Sequence, residues 1–213
     1  MEFLLPERES VREKWSEICE IHDVPKTLYD HQVDTINLLL SKNNVFCGLP
    51  TGSGKTLAQL ATVLFSKGTA LVIPPLLIIE KQMCEICDKW QISYVNLSSF
   101  SDSKDIQADL ESKNPHIIIA SIEKVSDVTV QKALMNVKLD YVAIDEAQVS
   151  NKNGPPLVPG VLEKIPRFET SLLIVQYMVN WPNEQITGRA QINSYGQAKH
   201  SHQYYEVIRF SEL

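Results

Sequence analysis

The chain has 213 residues, 44% of them hydrophobic and 22% charged, and its 20 Lys and Arg stand against 26 Asp and Glu for a formal net charge of −6. That length builds one good hydrophobic core with a modest addition, and the composition is that of a globular chain and not a disordered one. The acidic balance excludes a surface that is basic throughout, although main-chain amides and hydroxyls still hold phosphates locally.

The N-terminal "MEFLLPERESVREKW" has neither a basic start nor a long apolar segment, so the expectation is no secretory signal and an address in cytoplasm or nucleus. No apolar run approaches the roughly 20 residues that cross a bilayer, and no membrane partner is expected. From Arg8 to Ile21, charges alternate with Val11, Trp15, Ile18 and Cys19 at helical spacing. Pro25 breaks that pattern, and "LYDHQVDTINLLL" predicts a second amphipathic helix with Val33, Ile36, Leu39 and Leu40 on one face. "NVFCGLP" reads as a buried strand, "KTLAQLATVLFS" as a helix stopped at Gly68, "TALVIP" as a strand stopped by Pro74 and Pro75, and "LLIIEKQMCEICDKW" as a helix. The alternation continues through "SYVNLS" (strand), "SDSKDIQADLES" (helix), "HIIIAS" (strand), "DVTVQKALMN" (helix) and "DYVAIDEA" (strand). Short apolar runs separated by helices predict an α/β three-layer sandwich around a parallel sheet, with ligands at the C-terminal ends of the strands. Beyond about Asn151 the regularity stops, apart from one apolar run, "SLLIVQYMV", and an irregular C-terminal tail is expected. The organisation read from the sequence is an N-terminal helix over 1–25, a lobe over 26–165 and a divergent tail over 166–213.

Two segments carry chemistry. In "GLPTGSGKT", Gly52 and Gly54 let the backbone curl so that successive N–H groups face one point, and the helix that follows adds its positive end. Lys55 then reaches the β and γ phosphates, and the Thr56 hydroxyl ligates Mg²⁺. Leu49 stands where the general pattern has its first glycine. In "YVAIDEAQ" an apolar strand ends in Asp145 and Glu146: Asp145 suits the magnesium shell, Glu146 suits orienting or deprotonating the attacking water. Gln32, at the start of the helix that leads into the first strand, offers both donor and acceptor to an adenine edge. Of the four cysteines, Cys84 and Cys87 form "CEIC"; with no second pair at metal spacing they read as neighbours on a helix face, and no zinc is expected. His200 and His202 in "KHSH" read as solvated tail residues.

The order "LYDHQ", "LPTGSGKT", "LVIPPLLIIEKQM", "IIIASIEKVSD", "VAIDEAQ" resembles the first motor lobe of superfamily 2 helicases, and within them the RecQ-like DNA helicases, over about Lys26 to Ser150. The resemblance implies an ATP-dependent 3′-to-5′ DNA helicase with ATP and Mg²⁺ as cofactors and single-stranded or forked DNA as partner. It implies that Gln32 contacts adenine, that Thr51 to Thr56 hold phosphates, and that Pro74, Pro75, Leu76, Ser121, Glu123 and Lys124 line the path of the single strand. It gives Gln148 a place beside the γ-phosphate, where this group normally has His. The departures are an acid-box loop without aromatics, "VSNKNGPPLVPG", the absence of a Ser/Thr-Ala-Thr motif, and the absence of a second lobe. Gln185, Gly188, Arg189 and Ala190 resemble the start of the last helicase motif, which would make Arg189 an arginine finger in a chain truncated or internally deleted. A shortened lobe of this kind is expected to bind Mg-ATP without separating strands. The alternatives are a non-catalytic isoform that binds DNA or a partner, and a superfamily 2 ATPase that remodels protein or chromatin. The sequence gives no oligomeric state.

Overall fold

Side-chain alternation along the short strands decides the layers. The computed structural model describes residues 8–49, 52–100, 103–145, 171–177, 192–200 and 203–210. In β2 (Ala70–Ile73), Ala70 and Val72 face one core while Leu71 and Ile73 face another. β4 (Ile117–Ile119) and β5 (Tyr141–Asp145) divide the same way: Ile117, Ile119, Tyr141 and Ala143 to the first core, Ile118, Val142 and Ile144 to the second. A strand apolar on both faces must be covered on both, which is why these runs read as unbroken hydrophobic stretches.

The first core is closed by α1 (Arg8–Ile21), α2 (Asp30–Leu40), α3 (Lys55–Ser66) and α4 (Leu77–Lys89). The second is closed by α5 (Ser103–Lys113) and α7 (Val128–Leu134), with Leu97 from a short 3-10 turn after β3 (Tyr94–Asn96). The three-layer α/β sandwich expected from the sequence is therefore present. None of the helices among the described residues is long and apolar enough to cross a membrane.

The sheet runs β3-β4-β2-β5-β6-β1-β8-β7, where β1 is Asn44–Leu49, β6 Ser171–Tyr177, β7 Ile192–His200 and β8 Gln203–Phe210. Its first six strands are parallel; β8 joins β1 antiparallel and pairs with β7 as a hairpin. Here the structure differs from the sequence reading, which put an irregular tail after residue 165. Three stretches of that segment are strands, and β6 sits inside the sheet between β5 and β1, with Leu173 opposite Val45 and Ala143. "SLLIVQY" has the composition of a doubly covered strand, but composition carries no information about which strands it separates.

Two local details also differ. A one-turn helix, α6 (Ile122–Val125), precedes α7, and the Ser121 side chain caps it by accepting from the Lys124 N–H. Helix α3 ends at Ser66 as the predicted stretch does, but Lys67 and not Gly68 takes the left-handed turn that stops it, at φ 54°. Gly68 answers to a different constraint: a Cβ there would lie 1.6 Å from Asp140 Oδ2.

Candidate functional site

All six parallel strands point their C-terminal ends to one edge of the sheet, and the sequence motifs gather along it. At the end of β1 the loop carries Gly52 and Gly54, both at φ 77°, a conformation that side-chain-bearing residues avoid. It runs into the N-terminus of the 12-residue α3, whose first residues are Lys55 and Thr56. The Ser53 hydroxyl oxygen is buried and has no hydrogen-bond partner in the protein, a polar atom inside a loop of curled amides. These features fit an anionic ligand held by backbone N–H groups and a helix N-terminus.

Asp145 ends β5 with its residue only 8% exposed. Because β6 intervenes, it stands two strand spacings from β1, level with Cys47, about 10 Å across the sheet at roughly 4.8 Å per strand. Thr51, Glu146, Gln148 and Arg189 lie outside the described residues, and so does His202.

Gln32 is 1% exposed and both ends of its amide are engaged. Its Oε1 accepts from the Tyr29 N–H at 2.8 Å, while Nε2 donates to the Gly54 carbonyl at 3.1 Å and lies 3.4 Å from the Ser53 carbonyl. Next to it, His31 Nε2 is 3.0 Å from the Ser53 carbonyl, and the His31 ring stacks on Tyr29 with centroids 5.7 Å apart. The first turn of α2 therefore grips the phosphate loop from outside at two consecutive carbonyls. The sequence reading did not find His31: a histidine beside a glutamine carries no pattern until α2 and the loop are seen in contact.

Further along the same edge, the ends of β2 and β4 form a cavity of about 590 Å³. Pro74, Pro75, Leu76, Ser121, Glu123 and Lys124, the six residues the resemblance put on a strand path, all line it, joined by Leu77, Ser98 and Asp127. Leu76 and Leu77 are more than half exposed. The Lys124 ammonium donates to the Phe100 carbonyl at 2.7 Å, and the Ser98 hydroxyl to buried Glu80 at 2.9 Å. The Asp127 carboxyl is held below its usual range by the Thr129 N–H that it caps. One cation against two acids, over a partly apolar wall, suits sugars and bases better than bare phosphates.

The cysteine pair lies on α4, with Cys87 buried and Cys84 half-buried. Burial pushes both thiols up, Cys87 to about 12.

Residues 29–173 match the family described as DEAD/DEAH box helicase. The ATP-dependent DNA helicase Q1 of Rattus norvegicus is 28% identical over 138 residues, an alignment that takes in 60% of this chain and 22% of that protein. The ATP-dependent DNA helicase RecQ of Pasteurella multocida (strain Pm70) is 28% identical over 131 residues, covering 60% and 21%. The chain thus spans about a fifth of the length of these relatives. In fold it is similar to the UvsW helicase from Bacteriophage T4, with a TM-score of 0.55 at 13% identity over 78% of this chain and 59% of that one.

Proposed function

Because the chain belongs to the DEAD/DEAH box helicase family, we propose that it is the ATP-binding lobe of a RecQ-like, ATP-dependent DNA helicase, holding Mg-ATP at the β1 loop and a single DNA strand in the β2–β4 cavity. The observation that carries this reading is the shared edge: phosphate loop, Asp145 and cavity lie in that order along one row of strand ends. Backbone N–H groups of 52–56 and the Lys55 ammonium take the phosphates, while the Thr56 hydroxyl and the Asp145 carboxylate hold the cation. When bound, Mg-ATP supplies the cleavable γ-phosphoryl bond whose loss drives movement. Gln32 and His31 keep the loop in its curled form; the resemblance also assigns Gln32 to adenine, a contact its buried amide makes only by releasing the Tyr29 N–H or the Gly54 carbonyl. Glu146 follows Asp145 in sequence and is assigned to the attacking water, and on the resemblance Gln148 sits beside the γ-phosphate. On the same resemblance the parent reaction moves 3′-to-5′ along DNA. With only about a fifth of its relatives' length, this stretch is expected not to separate a forked duplex by itself, since charge on the transferring phosphoryl group is met from across a cleft.

The test is binding of a fluorescent ATP analogue with Mg²⁺, followed by turnover with single-stranded DNA, duplex DNA or none. Saturable binding that Lys55→Ala abolishes, with turnover raised most by single strands, is the expected result. Binding that survives Lys55→Ala sinks the nucleotide assignment. The composition of the cavity supports a second reading, a partner-binding module without turnover: one cation, two acids and exposed Leu76 and Leu77 suit a protein surface as well. It predicts no DNA-stimulated turnover and a cellular effect that Lys55→Ala leaves intact.

A further inference from the structure

Helix α1 lies outside the motifs, yet two of its arginines hold the segment that holds the phosphate loop. Arg8 forks onto Asp34 of α2, with Nε 2.8 Å from Oδ1 and Nη2 2.7 Å from Oδ2. The Asp34 side chain is 3% exposed, so this carboxylate depends on a fixed partner. Arg8 Nη1 also reaches Asp30 Oδ2 at 3.1 Å. Arg12 pairs with the other Asp30 oxygen, and its Nη1 donates to the Leu28 carbonyl at 2.6 Å. Leu28, Asp30 and Asp34 bracket the turn that carries Tyr29, His31 and Gln32. From the opposite side of that turn, His31 and Gln32 hold the Ser53 and Gly54 carbonyls.

The same helix is anchored at a second, separable place. Trp15 stacks on Phe65 near the end of α3, centroids 5.7 Å apart and planes within 10°, and its indole N–H donates to the Pro25 carbonyl. An arginine–carboxylate fork fixes angle as well as distance, which a ring stack does not. The two contacts therefore differ in what they transmit: Trp15 fixes α1 to the core, while Arg8 and Arg12 fix the rotation of the first turn of α2.

Resting on the nucleotide-site assignment above, we propose that Arg8 and Arg12 are positioning residues for ATP binding: through Asp30, Asp34 and the Leu28 carbonyl they set the turn from which Gln32 and His31 shape the phosphate loop. The chain of contacts is arginine to α2 to loop carbonyl, with no arginine touching the nucleotide.

The experiment measures three quantities on the whole chain: affinity for the fluorescent ATP analogue, amide hydrogen exchange at Gly52–Thr56 without nucleotide, and Tm. Variants are Arg8→Ala, Arg12→Ala, the double variant, Arg8→Lys and, as control, Trp15→Phe. Arg8→Ala and Arg12→Ala are expected to weaken nucleotide binding about threefold to tenfold and to speed exchange at Gly52–Thr56, at a temperature where all variants are fully folded. Arg8→Lys keeps the charge but loses the fork and falls between. Trp15→Phe lowers Tm and leaves affinity and loop exchange unchanged. A double variant with lowered Tm but unaltered exchange and affinity overturns the proposal, since the arginines then serve stability alone. Faster loop exchange in a chain that binds no nucleotide upholds the positioning and sinks the site assignment instead.

Discussion

Replacing each of the two loop glycines by alanine separates backbone strain from the grip of α2. Gly52 and Gly54 share φ 77°, so either substitution forces a Cβ into the left-handed region at about 1–2 kcal/mol, partly offset by a less flexible unfolded chain. A Cβ on Gly52 meets nothing within 4 Å, whereas one on Gly54 would sit 2.4 Å from Gln32 Nε2. The Gln32 amide is tethered at both ends, to the Tyr29 N–H and to the Gly54 carbonyl. Moving it breaks buried hydrogen bonds worth about 1–3 kcal/mol together. Gly52→Ala is thus expected to cost about 1 kcal/mol and Gly54→Ala about 3 kcal/mol, near 3 °C and 9 °C in Tm for a chain of this size. Thermal unfolding without nucleotide, followed by circular dichroism, measures both. The decisive variant adds Gln32→Ala: with the amide gone, Gly54→Ala should cost no more than Gly52→Ala. Equal costs in the wild-type background, or a Gly54 penalty that persists without Gln32, would refute the claim that α2 grips the loop through this side chain.

Gln59 on α3 is fully buried with neither amide atom hydrogen-bonded; Gln59→Met keeps the length, removes both orphan atoms and is expected to stabilise by about 2 kcal/mol, or roughly 4–8 °C in Tm. An unchanged Tm would mean that buried water already satisfies the amide. Burial raises the Cys47 and Cys87 thiols from 9.0 to about 12, so between these values the folded chain keeps protons that the unfolded chain releases. Stability is complete below pH 9 and falls as pH rises above it, by about 1.4 kcal/mol per pH unit for each thiol. Between pH 9 and 10.5, Cys47→Ala and Cys87→Ala should therefore lose less Tm than wild type, although they start lower.

What the sequence made legible was periodicity and punctuation. Val11, Trp15 and Ile18 announced α1, and the stretch from Tyr141 to Asp145 announced a doubly covered strand ending in an acid, because each pattern lies within one turn or one pleat. What depends on distant pairing was not legible. Leu173 reads as strand material, but its place opposite both Val45 and Ala143 is a property of the sheet. Gln32 stood out by type, whereas its engagement with the Gly54 carbonyl depends on how α2 packs on the loop. At the end of α3 a local rule misled for a physical reason: glycine was taken as the stop, but Lys67 adopts the left-handed turn and Gly68 makes room for Asp140. Six cavity residues were placed by resemblance, Glu123 among them, whereas the second acid, Asp127, was not part of that assignment.

The position of β6 bears on the order in which this chain can assemble as it is made. Val45 pairs with Leu173, so at about 5–20 residues per second the β1 strand waits on the order of ten seconds for its parallel neighbour. Until then β1 and β5 have no strand between them, and two unpaired edges face each other across an empty slot. A nascent chain at this stage presents the template on which another chain's strand can pair. Residues 171–177 therefore close the gap as well as filling it, and shielding by a chaperone should matter most just before they emerge.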